Sequence, residues 1–253
     1  TVSETQYAFI RIDNEIMDVY LEKDKKYKID FPPPTRNKGA TNPLSERNYR
    51  KLRMLEADSS SLNLSIAKFN KLYDKFLLDN KELMVRRGMS DKKLLHDRIA
   101  TFRDDVGEEF SNSGNDYLQS HILYSIAQLE LITMTSDYKI FQLYLEKPFL
   151  ETNYEYMRFF HQYFEKHLEI FRLTEQGKGL VDAINNFTTL ERVNTILFLD
   201  DYLHSKILRE AVLIDGLIMF YNNPDYKKEG IVKVLEALSQ QASTPYLKKT
   251  AAN

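Results

Sequence analysis

The stretch from Leu190 to Tyr221 constrains the fold most strongly, because its apolar residues recur at the intervals of a helix. The second half of the stretch is apolar on nearly every face, so we expect little of that helix to contact water. Arg209, Glu210 and Asp215 interrupt it well short of the roughly 20 apolar residues that a membrane span needs. The pattern therefore predicts a helical hairpin at the centre of an all-α core.

Composition supports a helical protein and narrows the classes of function. The 253 residues are 43% hydrophobic and contain only 8 Gly and 7 Pro, which is typical of connected helices. A net charge of −2 supplies no field that would attract DNA or RNA, so we predict no nucleic-acid partner. The chain has no Cys, which excludes a disulfide, a thiolate zinc site and a Cys nucleophile within it.

The N-terminal residues predict strands rather than a signal peptide. Gln6 to Ile12, Ile16 to Leu21 and Lys26 to Phe31 are strand-like, and the third alternates apolar with polar side chains. No basic region followed by an apolar run opens the chain, so we interpret it as a piece of a longer protein. Prolines 32–34 end the strands. We predict that residues 1–34 complete an N-terminal β-domain and that residues 35–253 form an all-α domain.

A basic segment includes the third predicted strand and continues past the prolines. Lys23 to Arg53 contains ten Lys/Arg against three Asp/Glu. This charge suits either an anionic surface or a solvated linker and helix face. Aromatic residues are few among these basic ones, which favours the linker.

Helical periodicity then continues to the C-terminus, with helix starts at polar residues. We expect starts near Ser59–Ser61, Ser90, Asn115, Ser136, Asn153 and Thr244. No repeat of solenoid length recurs. The predicted fold is mainly α, an irregular antiparallel helical bundle preceded by a short β meander that is the remnant of a small β-domain.

Few residues suggest chemistry. Asp200, Asp201 and His204 have a spacing that suits a metal site, but a carboxylate one turn before a His is more often a surface pair or cap. His161 and His167 are expected on different faces of their helix. No Gly-x-Ser-x-Gly turn or Gly-rich phosphate loop is present. We therefore predict no catalytic residue, no metal and no cofactor, and no enzymatic activity for this chain alone.

The segment Tyr154 to Phe171 is the most aromatic part of the chain. One face carries a core stripe, and a second face carries Tyr156, Phe159 and Tyr163. Burial of both faces between neighbouring helices is the first interpretation. The second is that Tyr156, Phe159 and Tyr163 dock another domain or subunit, because Tyr and Phe are common at interfaces.

Four ordered segments carry a family resemblance: NDYLQSHILYSIA at 115–127, YEYMRFFHQYF at 154–164, LREAVLIDGL at 208–217 and YLKKTAAN at 246–253. Together they resemble the N-terminal helical region of TlpA-like thiol–disulfide proteins of the Bacteroidetes cell envelope. In that family the helical region follows a small β-domain and precedes a thioredoxin-like domain with a Cys-x-x-Cys motif. This chain has no such motif, so the resemblance assigns it no catalytic residue.

The resemblance implies a non-catalytic scaffold that positions substrates for a downstream thioredoxin-like domain. The expected partner is that domain or another envelope protein, and the expected location is the periplasm or the membrane-anchored envelope. The alternative is a stand-alone helical binding protein of the cell envelope, with a peptide, a glycan or a protein in a groove between helices. A cleft lined by Tyr would favour the binding protein, and a flat aromatic face near the C-terminus would favour the scaffold.

Overall fold

A computed structural model describes residues 2, 4–12, 15–30, 53–54, 61–86, 88–133 and 135–253. This part of the chain is mainly helical, with short antiparallel strands at its N-terminal end, as predicted. Most of the basic segment from Lys23 to Arg53 lies outside the described residues. The strands are β1 (Gln6–Ile12), β2 (Glu15–Leu21), β3 (Ile29–Asp30) and β4 (Arg53–Met54). The helices are α1 (Leu62–Val85), α2 (Met89–Phe110), α3 (Asp116–Glu130), α4 (Asp137–Tyr144), α5 (Tyr154–Phe164), α6 (His167–Phe171), α7 (Leu180–Asn185), α8 (Leu190–Leu197), α9 (Lys206–Phe220), α10 (Lys228–Gln241) and α11 (Pro245–Ala252).

The chain forms two compact units. The first unit comprises Thr1–Thr135 and Thr152–Met157, and the second comprises Ser136–Glu151 and Arg158–Asn253. The strands therefore share a unit with α1, α2 and α3, which differs from the predicted division after residue 34. The physical reason is that β2 is hydrogen-bonded to α1. The side-chain amide of Asn63 donates to the backbone carbonyl of Tyr20 and accepts from the backbone N–H of Tyr20, both at 2.8 Å.

In the first unit, β1 and β2 form an antiparallel hairpin whose register runs from Gln6 opposite Leu21 to Ile12 opposite Glu15. β3 pairs with β4 in a second small sheet, and the described strand is shorter than the predicted Lys26–Phe31. The helices enclose an apolar core that includes Tyr20, Phe69 and Ile126. Burial of such side chains supplies most of the stability of the unit.

The second unit is built around α9, which contacts α6, α10 and α11. The sequence prediction of two helices, here α8 and α9, between Leu190 and Tyr221 is confirmed. Leu213 and Leu217 are fully buried, as the periodicity requires. Ile218 and Met219, however, are 54% and 52% exposed, so the last turns of α9 present apolar surface that the sequence alone assigned to the core.

The predicted aromatic helix Tyr154–Phe171 is divided into α5 and α6. Lys166 leaves helical geometry, with φ −113° and ψ 6°, and the chain starts a new short helix after it. Leu168 of α6 then lies against Gly216 of α9, where an added Cβ would come within 2.4 Å of Leu168 Cδ1. A larger residue at 216 would therefore force the buried Leu168 side chain to move, so the packing of α6 on α9 favours glycine there.

Candidate functional site

The three residues predicted as a docking face do not form an exposed surface. Tyr156 and Phe159 are 0% exposed, and Tyr163 is only partly exposed. In the first unit the Tyr156 ring packs edge-on against Tyr124, with 4.8 Å between ring centroids. A side chain with no accessible surface cannot contact a partner, so the docking interpretation is corrected at Tyr156 and Phe159. Their burial matches the alternative in which the helix packs on both faces.

Tyr163 has internal contacts in the second unit. Its hydroxyl donates to the Asp137 carbonyl at 2.9 Å, and its ring lies near Phe159, Phe164 and Tyr202. Burial raises the pKa of its phenol, because a phenolate would lose hydration there. These contacts give Tyr163 a packing role within the unit.

The residues considered for a metal site are directed to different partners. Asp200 accepts hydrogen bonds from His167 Nε2 at 2.9 Å and from the Tyr202 amide at 2.8 Å. The His204 ring packs against Phe198 instead, with 5.3 Å between centroids. Among the described residues, no group of three or more His, Cys, Asp or Glu side chains is arranged to hold a metal ion.

A pocket of about 460 Å³ lies on the second unit, in the size range of ligand sites. The residues that line it come from the end of α5, the turn after it and the second half of α9: His161, Gln162, Phe164, Glu165, Asp215, Ile218 and Met219. We call this set the α5–α9 pocket. It is the strongest candidate site in the described part of the chain because it combines apolar walls with polar groups.

Helical spacing explains how two segments build the pocket. Residues 161, 164 and 165 are related as i, i+3 and i+4, and residues 215, 218 and 219 repeat the same spacing. Side chains at these intervals lie on one face of a helix. The first segment therefore contributes His161, the apolar ring of Phe164 and the carboxylate of Glu165, and the second contributes Asp215 with the apolar side chains of Ile218 and Met219.

An imidazole–carboxylate pair lies within the pocket lining. His161 Nδ1 contacts Asp215 Oδ2, and the two side chains are 50% and 25% exposed. Burial raises the pKa of the Tyr246 phenol on α11, and the carboxylates of Asp215 and Glu151 raise it further.

The apolar part of the pocket is partly open to solvent. Phe164 is buried, whereas Ile218 and Met219 each expose about half of their surface. Contiguous exposed apolar side chains beside polar groups are characteristic of ligand and protein contacts. Methionine adds adaptability, because its flexible thioether fits ligands of different shape.

Sequence reasoning missed this pocket because its halves are far apart in the chain. His161 and Asp215 are separated by 54 residues, and no local spacing pairs them. One signal was available. Asp215 is a carboxylate in the mostly apolar second half of α9, and such a residue needs a polar partner or solvent.

No protein-family model, curated protein or solved structure matches the chain. The described helices also include none that combines the length and hydropathy of a membrane span.

Proposed function

We propose that the chain is a non-catalytic helical module that holds a polypeptide for a thioredoxin-like domain of an envelope thiol–disulfide oxidoreductase. The observation that carries this proposal is the α5–α9 pocket, which places the exposed apolar side chains of Ile218 and Met219 in the same lining as the contact between His161 and Asp215. The ordered resemblance to TlpA-like proteins supports the partner and the periplasmic or membrane-anchored location. In this proposal the redox chemistry belongs to the thioredoxin-like domain.

The second candidate is a stand-alone binding protein of the cell envelope. One observation favours it: every residue that lines the α5–α9 pocket belongs to the second unit of this chain. The pocket therefore needs no other domain to complete it. Both candidates assign the same pocket to polypeptide binding and differ in what happens to the bound chain.

The coding sequence beyond the codon for Asn253 separates the two candidates. The positioning module requires a thioredoxin-like domain with a Cys-x-x-Cys motif in the same polypeptide, and intact mass of the native protein would show the corresponding length. A stop codon directly after Asn253 would contradict the positioning role and leave the stand-alone binding protein.

Binding itself is tested with short fluorescent peptides of extended conformation, followed by fluorescence anisotropy. Ile218→Gln combined with Met219→Gln makes the apolar wall polar without adding charge, and we expect affinity to fall by roughly tenfold or more. The matched control is Ile170→Gln combined with Leu173→Gln, because both residues are exposed on the second unit outside the pocket. Equal losses in the two double variants would contradict binding at the α5–α9 pocket.

A further inference from the structure

We infer that the α5–α9 pocket selects a basic side chain, lysine or arginine, of an extended polypeptide. The aliphatic stem of that side chain lies along Phe164, Ile218 and Met219, and its cationic end lies between Glu165 and Asp215. This inference rests on the proposed function, since it names the class of residue that the polypeptide site accepts.

Charge is the first argument. The described lining contains the carboxylates of Glu165 and Asp215, one imidazole, and no Lys or Arg side chain. Two carboxylates exceed one imidazole in charge whether or not His161 is protonated. An anionic ligand would therefore be repelled, and a cationic one would be attracted.

The shape of the lining is the second argument. Phe164, Ile218 and Met219 form an apolar wall, and Asp215 lies one helical turn before Ile218 on α9. Lysine and arginine match such a surface because their methylene stems pack on apolar atoms while their charged ends reach polar groups. A purely apolar ligand would bring both carboxylates towards a less polar environment without supplying a positive charge to either, which is unfavourable.

The contact between His161 and Asp215 is the third argument. His161 Nδ1 contacts Asp215 Oδ2, which holds the carboxylate in one orientation. A carboxylate that is already ordered loses less side-chain entropy when a cation binds. His161 is therefore a positioning residue that acts through Asp215.

The test compares peptides that are identical except at the central residue, which is lysine, arginine, norleucine or glutamate. Affinities are measured by fluorescence anisotropy at low salt, where exposed charge pairs contribute most. We expect lysine and arginine to bind roughly two- to fivefold more tightly than norleucine, the size of effect that exposed ion pairs produce. Glutamate should bind more weakly than norleucine.

Variants locate the effect. Asp215→Asn and Glu165→Gln should each reduce the preference for lysine over norleucine, because each removes one negative charge and keeps the side-chain size. The control is Glu175→Gln, since the Glu175 side chain is 91% exposed and does not line the pocket. That variant should keep the full preference for lysine, and circular dichroism should show the same helix content in all three.

The outcomes distinguish the inference from the proposed function. Equal binding of the norleucine and lysine peptides would overturn the basic-residue inference and leave polypeptide binding in place. A lysine preference that survives in both carboxylate variants would also overturn it. If none of the four peptides binds, the proposed function itself fails.

Discussion

At the scale of single residues, two glycines differ in the space that their neighbours leave for a side chain. A Cβ on Gly230 would lie 2.4 Å from the Ile184 carbonyl oxygen and 3.0 Å from Asn185 Cα. Both obstructing atoms belong to the backbone of α7, which cannot rotate away as a side chain could. By contrast, a Cβ on Gly107 of α2 would meet nothing within 4 Å.

We expect Gly230→Ala to destabilise the protein by about 1–3 kcal/mol, because α10 must move away from α7 to admit the methyl group. Gly107→Ala should instead stabilise it by about 0.5–1 kcal/mol, since alanine is the better helix former where space is open. Urea unfolding followed by circular dichroism measures both changes. Equal stability of Gly230→Ala and the parent protein would contradict the close packing of α10 on α7.

At the scale of the element, the connection between α8 and α9 is held by a buried arginine. Arg209 donates to the Leu203 carbonyl at 2.6 Å and the His204 carbonyl at 3.2 Å, and its Nε donates to Asn194 of α8 at 3.2 Å. Its guanidinium also lies over the Phe198 ring, 5.4 Å from the centroid. One side chain on α9 thus fixes both the loop and the helix before it.

Arg209→Leu should lower the free energy of unfolding by about 1.5–3 kcal/mol, because it leaves the buried Leu203 carbonyl without its charged donor. The control is Arg192→Leu. Arg192 pairs with Asp182 at the surface, where water replaces the lost contact, so we expect almost no change. Denaturant unfolding of the two variants side by side measures the difference. An equally small effect in both would show that Arg209 does not hold the connection.

At the scale of the whole molecule, buried tyrosines predict the response to alkali. Burial raises the pKa of the Tyr124 phenol to about 12. Burial is also the main cause that raises the pKa values of Tyr117 and Tyr226 to about 12. In the unfolded chain these phenols ionise near pH 10. Between pH 10 and pH 12 the unfolded chain loses these protons while the folded protein keeps them. The stability that the buried neutral phenols contribute is therefore complete below pH 10 and is lost as the pH rises to 12.

We expect the melting temperature to fall steeply between pH 10 and pH 12, and Tyr226→Phe to reduce that fall. Within the described residues the Tyr226 hydroxyl has no hydrogen-bond partner, so phenylalanine should cost little stability at neutral pH. The stacked contact with Phe220, at 4.6 Å between centroids, remains available to phenylalanine. Thermal melts across this pH range measure the effect. If the melting temperature of Tyr226→Phe fell as steeply with pH as that of the parent protein, ionisation of Tyr226 would not contribute to the fall.

Local chemistry explains why most elements were predictable. Asn115, Ser136 and Thr244 were predicted as helix starts, and each side chain accepts a hydrogen bond from the amide three residues later. Such caps depend only on neighbouring residues. The break at Lys166 was not predictable in this way, because α6 is placed by its contact with Gly216 of α9, a residue far along the chain.

The sequence by itself determined the helical class, the apolar core of α9 and most helix starts, because periodicity and capping act over a few residues. Tertiary structure decided that Arg209 and Glu210 are buried while Ile218 and Met219 stay exposed on the same helix. It also brought His161 to Asp215 across 54 residues. These outcomes depend on which face of each helix is covered by another element, and that is set by packing between distant segments rather than by local sequence.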